Sequence, residues 1–104
     1  MIRVFISQPM NGLSDLEISN ARAEVIEDLY NIGYTPDEIT IIDSEIWELA
    51  PDNVNGALWY LGKSIELLAD ADLAVFAKGW KSARGCLIEY MCAKAYGISS
   101  IRAD

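Results

Sequence analysis

The segment LAVFAKGWKSARGCLIEYMCAKAYG, residues 73–97, contains a predicted strand, a loop and a helix. Its apolar run Leu73–Ala77 is typical of a buried strand, and Gly97 supplies the left-handed residue that commonly ends a helix. Three small residues occupy the intervening loop, namely Gly79, Ser82 and Gly85. Because Glu89 follows just inside the helix, the segment places a carboxylate beside a loop suited to binding a small polar ligand.

Strands and helices alternate through the rest of the chain. Short apolar runs predict strands at Ile2–Ile6, Ile39–Ile42 and Ile98–Arg102. A capping-box pattern, Ser14 followed by Glu17, predicts that a first helix begins near Asp15, and Gly33 ends it. Apolar residues at helical spacing mark two more helices, with Leu58, Leu61, Ile65 and Leu68 in the second and Ile88, Met91, Cys92 and Ala95 on the core face of the third.

This alternation predicts an α/β fold, because β-α-β crossovers produce a parallel sheet covered by helices on both faces. The length of 104 residues fits one domain, so we expect a single unit over residues 1–104. It is predicted to be a small doubly wound, three-layer domain with a mostly parallel sheet of about four to five strands.

The composition excludes several classes of function. The formal charge of −8 and the lack of interleaved basic and aromatic residues argue against a nucleic-acid partner. No apolar run approaches the roughly 18 residues of a membrane span, and the N-terminus fits a strand better than a signal peptide. We therefore expect a soluble, cytoplasmic protein with no membrane partner. Histidine is absent, which removes Ser-His and Cys-His catalysis.

No metal and no cofactor are expected. Cys86 and Cys92 lie on different faces of the predicted third helix, which suits neither a disulfide nor a zinc site. Two reduced, packed cysteines are the simpler explanation, although the first-turn position of Cys86 leaves open a thiol of lowered pKa. The chain has neither a GxGxxG nor a GxxxxGKS/T motif, so dinucleotide and P-loop sites are excluded.

Glu89 is the leading candidate for chemistry. It adjoins Ile88 on the predicted apolar stripe, a position at the boundary between core and crevice. The nearby helix N-terminus favours the ionised carboxylate, the form that a nucleophile requires. A solvated helix flank is the alternative.

The leading candidates for ligand binding are loops, because ligands of doubly wound folds lie beyond the carboxyl ends of the strands. The loops after Ile6, Ile42 and Ala77 are expected to line this crevice. The first loop contributes Ser7, Gln8, Met10, Asn11 and Gly12. Trp80, inside the third loop, is placed to stack on a base, whereas core packing is expected for Trp47 and Trp59. An ordinary connection is the alternative for each loop.

These motifs resemble the nucleoside 2-deoxyribosyltransferase superfamily, and most closely its small phage-associated branch. That branch opens with a pattern like YISGPMTG, matched here by FISQPMNG at residues 5–12. It closes with a Gly-Trp loop followed by Ser, Gly and Glu, matched by Gly79, Trp80, Ser82, Gly85 and Glu89. The resemblance spans nearly the whole chain and implies a nucleoside deoxyribosyltransferase-like, flavodoxin-like fold.

The resemblance also implies a reaction and an assembly. Glu89 would attack the anomeric carbon of a deoxynucleoside, release the base and form a covalent deoxyribosyl ester, which a second base or water then resolves. Ser7 and Ser82 match serines that hold the 5′-phosphate in related nucleotide hydrolases. Active members complete their pockets with a neighbouring subunit, so a homodimer or larger homo-oligomer is implied. Ser64 aligns where the family usually has an Asp that orients the sugar and protonates the base, and a hydroxyl cannot replace that acid.

Three hypotheses follow. The first is N-glycosyl transfer or hydrolysis of a small-molecule nucleoside or nucleotide through a glycosyl intermediate on Glu89. The second is a non-catalytic module that binds a nucleotide or nucleotide sugar in the same pocket. The third is a purely structural or interaction domain, which would bind no nucleoside.

Overall fold

The computed structural model describes residues 1–103 and, within them, four strands and three α-helices. In chain order they are β1 (Ile2–Ser7), α1 (Asp15–Ile32), β2 (Ile39–Ile41), α2 (Gly56–Leu68), β3 (Leu73–Phe76), α3 (Arg84–Ala95) and β4 (Ser99–Arg102). A single 3₁₀ turn, Trp80–Ser82, precedes α3. The predicted α/β class is confirmed, since each predicted strand and helix lies within a few residues of its expected position. No helix in the described part of the chain is long and apolar enough to cross a membrane.

The four strands form one parallel sheet in the order β2-β1-β3-β4. The chain therefore leaves β1 on one side to reach β2 and later returns to its other side as β3. This reversal is the topological switch point, beside which ligands bind in such folds. The register pairs Ser7 at the end of β1 with Phe76 at the end of β3, so the loops after both strands start side by side.

Helices cover both faces of the sheet, which confirms the three-layer architecture. On one face α1 packs against a cluster made of Val4, Ile6, Val25, Leu29, Ile39, Leu73, Val75 and Ala77. On the other face α2 and α3 enclose Phe5, Leu68, Ala74, Phe76, Trp80, Cys86 and Ala93. Successive side chains of a strand point to opposite faces. Ser7 therefore points with Phe5 toward the layer formed by α2 and α3.

Side-chain caps fix where α1 and α2 begin. The predicted capping box is present: Ser14 Oγ accepts from the Glu17 N–H at 3.1 Å, and the Ser14 N–H donates to Glu17 Oε1 at 3.0 Å. Asn55 caps α2 by accepting from the Leu58 N–H at 3.0 Å. A cap of this kind contributes about 1 kcal/mol to stability. The second cap sets the start of α2, the helix that contains Ser64.

The predicted core face of α3 is partly wrong. The helix buries Cys86, Glu89 and Ala93, while Met91 is 60% exposed. Ala95 is also exposed. The buried face of α3 therefore differs from the apolar face that the sequence predicts. It includes Glu89, because the carboxylate accepts hydrogen bonds from two hydroxyl groups in the interior.

The tryptophans also differ from expectation. Trp47 was predicted to pack in the core but is 76% exposed, in the irregular segment between β2 and α2. Trp80 was predicted to stack on a base but is only 3% exposed and belongs to the core. The 3₁₀ turn explains this burial, because it directs the Trp80 indole inward over Phe76 at the end of β3.

Candidate active site

A cleft of about 1040 Å³ opens at the carboxyl ends of β1 and β3. Its volume is that of a small-molecule site. The loops after β1, β2 and β3, together with α2 and the start of α3, form its walls. Most residues predicted for the site line it, namely Ser7, Gln8, Met10, Asn11, Ser64, Gly79, Ser82, Gly85 and Glu89. The structure thus brings together residues that are up to 82 positions apart in the chain.

Glu89 lies in the wall of this cleft, and both of its carboxylate oxygens accept hydrogen bonds. The side chain is in the second turn of α3 and only 6% exposed. Ser7 Oγ donates to Oε1 at 2.6 Å, and Ser64 Oγ donates to Oε2 at 2.5 Å. Because the three residues belong to β1, α2 and α3, regular elements rather than loops orient the carboxylate. Such support is what a reacting group needs to keep its geometry.

Burial raises the pKa of Glu89 above its ordinary value, and the hydrogen bonds from Ser64 and Ser7 oppose that rise. The sequence had suggested the opposite direction, since a helix N-terminus favours the ionised form. Loss of water outweighs that effect because the carboxylate is almost fully enclosed. A carboxyl group that lines a cleft and has a perturbed pKa is a candidate functional residue.

Cys86 lines the same cleft but is not an activated thiol. It is 4% exposed, and burial raises the pKa of its thiol, with the nearby Glu89 carboxylate adding to the rise. The possibility of a lowered pKa, left open by the first-turn position, is therefore contradicted. Both Cys86 and Cys92 are free thiols, which agrees with two reduced cysteines.

Two predicted site residues, Gly12 and Trp80, do not line the cleft. The Trp80 ring lies 4.8 Å from the Tyr90 ring between their centroids, and Nε1 donates to the Ala103 carbonyl at 2.5 Å. Its indole therefore packs between the middle of α3 and the residue that follows β4. Gly12 has a φ of +79° and no heavy atom within 4 Å of a built Cβ, so it serves the turn into α1.

Gly79 connects the two ligand loops. Its φ of +87° is in the left-handed region, and a Cβ there would lie 3.4 Å from Pro9 Cγ. The loop after β3 therefore passes close against the loop after β1, and a glycine is favoured at the contact. This approach keeps both loops on the same side of Glu89.

The start of α3 is suited to an anion. Ala83 precedes the helix with no side-chain cap, so the first N–H groups of α3 have no capping side chain. The exposed residues Ser82 and Arg84 flank these groups and line the cleft. Backbone N–H groups, a hydroxyl and a guanidinium at a helix N-terminus favour a phosphate or carboxylate.

A second cavity of about 740 Å³ adjoins the cleft on the side of α1 and the loop after β2. The two share Gln8, Ser64 and Glu89 in their walls. We call this second cavity the outer lobe. It adds side chains that sequence reasoning missed, namely Asp15, Arg22, Asp43 and Glu45. The loop after β2 was expected to reach the crevice, but no motif in the sequence selects these residues.

Arg22 anchors the outer lobe. Its guanidinium donates to Ser44 Oγ at 3.1 Å and to the Ile42 carbonyl at 3.0 Å. These bonds tie the loop after β2 to α1. These bonds use two of the five N–H donors of the guanidinium and fix its position in the wall of the outer lobe.

The chain matches no protein-family model, and no curated protein matches it.

Proposed function

We propose that the cleft binds a deoxynucleoside or deoxynucleotide and cleaves its N-glycosidic bond through a covalent intermediate on Glu89. The observation that carries this proposal is the buried carboxylate in the wall of the cleft, which accepts hydrogen bonds from Ser7 and Ser64. The motifs of the first and third loops, which resemble nucleoside 2-deoxyribosyltransferases, support the same choice of substrate.

The reaction has two displacements. In the first, an ionised Glu89 oxygen attacks the anomeric carbon, a C1′–O bond forms and the C1′–N bond breaks. The electron pair leaves with the base, which takes a proton from solvent. In the second, water or another base attacks C1′, and the electron pair of the ester bond returns to Glu89. A proton of the attacking water or base goes to solvent, so the enzyme is regenerated.

The charge distribution supports one orientation of the substrate. The anion-binding features at the start of α3 suit the 5′-phosphate of a nucleotide, with Ser82 and Arg84 beside it. The deoxyribose then lies over Glu89, and the base extends toward the outer lobe. This orientation predicts that a 5′-monophosphate binds more tightly than the corresponding nucleoside.

The test is release of free base from a panel of deoxynucleosides and their 5′-monophosphates, followed by chromatography. We expect turnover with at least one substrate and loss of at least about 10³-fold in Glu89→Gln, because an amide is not a nucleophile. Glu27→Gln is the matched control: Glu27 is exposed on α1, outside both cavities, and should retain full activity. Equal activity in the two variants, or none in the unmodified protein, would reject the enzymatic proposal.

A non-catalytic nucleotide-binding module is the second candidate, and Ser64 favours it. The side chain next to Glu89 on α2 is a hydroxyl, so the site lacks the neighbouring acid that would protonate the departing base. Native mass spectrometry of freshly purified protein distinguishes the two. An intact nucleotide that co-purifies and is unchanged on incubation supports the module, whereas its conversion to free base supports the enzyme.

We also propose that the protein forms a homo-oligomer. Four large apolar side chains are exposed on the segment after β2 and the start of α2, namely Trp47, Leu49, Val54 and Leu58. The same part of α2 contributes Ala57 and Tyr60 to the cleft, so a second subunit on this surface would adjoin the cleft mouth. Sedimentation velocity should detect a dimer or larger species, and a monomer at all concentrations would contradict this proposal.

A further inference from the structure

Gln8 presents a hydrogen-bond acceptor that no residue among positions 1–103 uses. Its side chain is only 6% exposed, and Nε2 donates to the Ile18 carbonyl at 2.9 Å. Because a carbonyl can only accept, this bond fixes which end of the amide is the nitrogen. Oε1 is therefore the free end of the Gln8 amide.

The free oxygen opens on the ligand site. Within the described residues, no side-chain oxygen or nitrogen that is shut off from solvent lacks a hydrogen-bond partner. Gln8 Oε1 accepts no hydrogen bond from the described residues, so it must be accessible to solvent. Gln8 lines both the cleft and the outer lobe, and these are the openings beside it. A ligand that displaces water from this acceptor must supply a donor in its place.

The acidic side chains of the outer lobe have the same polarity. Asp15, Asp43 and Glu45 supply carboxylates, which only accept when ionised. Among the described residues that line the lobe, these three carboxylates outnumber the one guanidinium, that of Arg22, which also donates to Ser44 and to the Ile42 carbonyl. The lobe thus disfavours a phosphate and favours a group rich in N–H donors.

We propose that Gln8 is a specificity-determining residue whose Oε1 accepts a hydrogen bond from an exocyclic amino group of the substrate base. This inference rests on the proposed function and narrows its substrate class to deoxynucleosides and deoxynucleotides of amino-bearing bases. With the sugar over Glu89 and any phosphate at the start of α3, the base occupies the outer lobe beside Gln8. A base with an oxo group in that position leaves two acceptors facing each other.

The test is equilibrium binding of matched 5′-monophosphates to the Glu89→Gln variant, in which turnover is blocked. The pairs are deoxycytidine with deoxyuridine and deoxyadenosine with deoxyinosine, which exchange an amino group for an oxo group. In each pair that binds, we expect the amino member to bind at least about tenfold more tightly, because a site that hydrogen-bonds one group rejects the analogue lacking it.

Two further variants locate the discrimination. Adding Gln8→Met removes the acceptor while keeping a side chain of similar size. The dissociation constants of the amino and oxo nucleotides should then differ by no more than about twofold, mainly because the amino nucleotide binds more weakly. Adding Ser82→Ala, at a residue that lines the cleft but not the outer lobe, should weaken both members equally and leave the ratio unchanged. The ratio with Gln8 intact tests the proposal even if Gln8→Met fails to fold.

The outcomes separate this inference from the function on which it rests. Equal binding of both members of a pair, or a ratio that Gln8→Met leaves intact, would overturn the role of Gln8 while the nucleotide site stands. Binding of no member of either pair would overturn both.

Discussion

Replacing Glu89 by Gln should make the folded protein more stable at neutral pH, even though Glu89 makes two short hydrogen bonds. The Gln side chain has nearly the same volume, and its oxygen can still accept from Ser7. Its nitrogen would face Ser64 Oγ, whose hydroxyl can turn to accept. Both contacts of the carboxylate are therefore retained, and what the substitution removes is a charge on a side chain that is 6% exposed.

The sign follows from the pKa of Glu89, which burial raises above its value in the unfolded chain. Binding of a proton therefore favours the folded state. This contribution is fully present below the unfolded carboxyl pKa of about 4.3 and is lost as the pH rises through the folded value. As the pH rises above the unfolded value the unmodified protein loses this contribution, whereas the Gln variant has no carboxyl group to ionise. We expect Glu89→Gln to gain about 1 kcal/mol in the free energy of unfolding, the usual size of a single-substitution effect, because it removes a buried charge and keeps both contacts.

Thermal and urea unfolding between pH 4 and pH 8 measure this difference. At pH 7 the midpoint temperature of Glu89→Gln should exceed that of the unmodified protein by about 4 °C or more, and the gap should shrink toward pH 4. Glu27→Gln is again the control, because it removes one unit from the net charge of −8 without changing the cleft. A Glu89→Gln protein that is less stable than the unmodified one at pH 7, or a gap that does not change with pH, would refute this reasoning.

Three other substitutions test the supports of the site by urea unfolding. Ser7→Ala should lower the free energy of unfolding by about 1–3 kcal/mol at pH 7, because it leaves Glu89 Oε1 buried without its donor, and by less at pH 4. A loss that does not change with pH would point to packing alone. Gly79→Ala should lower the free energy of unfolding by about 1–2 kcal/mol, because φ is +87° and the new Cβ meets Pro9. Gly62→Ala within α2 should raise it by up to about 1 kcal/mol, because the new Cβ meets no atom outside its own helix within 4 Å. Equal effects at the two glycines would contradict the strained turn. Trp80→Phe should cost about 1–3 kcal/mol through lost packing and the lost bond to the Ala103 carbonyl, and an unchanged midpoint would mean that the indole is not part of the core.

The fold could be predicted from the sequence because local patterns and tertiary structure agree. The apolar runs of β1 and β3 are buried on both faces of the sheet, and Ser14 caps α1 as its spacing with Glu17 indicates. The parallel sheet and the switch point beside Ser7 follow from the alternation of strands and helices. The position of the binding loops at this edge could therefore be predicted, but the contacts of their side chains could not.

The rest depends on three-dimensional contacts that no local pattern contains. Apolarity selected Met91 for the core of α3, whereas the structure buries Glu89, because hydroxyls from β1 and α2 meet its carboxylate there. The direction of the Glu89 pKa shift could not be predicted for the same reason, since the helix N-terminus is visible in the sequence but the enclosure is not. The free oxygen of Gln8 depends on a bond to the Ile18 carbonyl of α1, which the spacing of the two residues does not suggest.

The most direct test of the central proposal is the intact mass of the protein after incubation with mixed deoxynucleosides and their 5′-monophosphates and rapid quenching in acid. The account predicts an adduct of one deoxyribosyl or deoxyribosyl-phosphate group, located on Glu89 by peptide mapping and absent from Glu89→Gln. An unmodified mass together with no release of free base from any member of the panel would contradict the claim that Glu89 is a nucleophile.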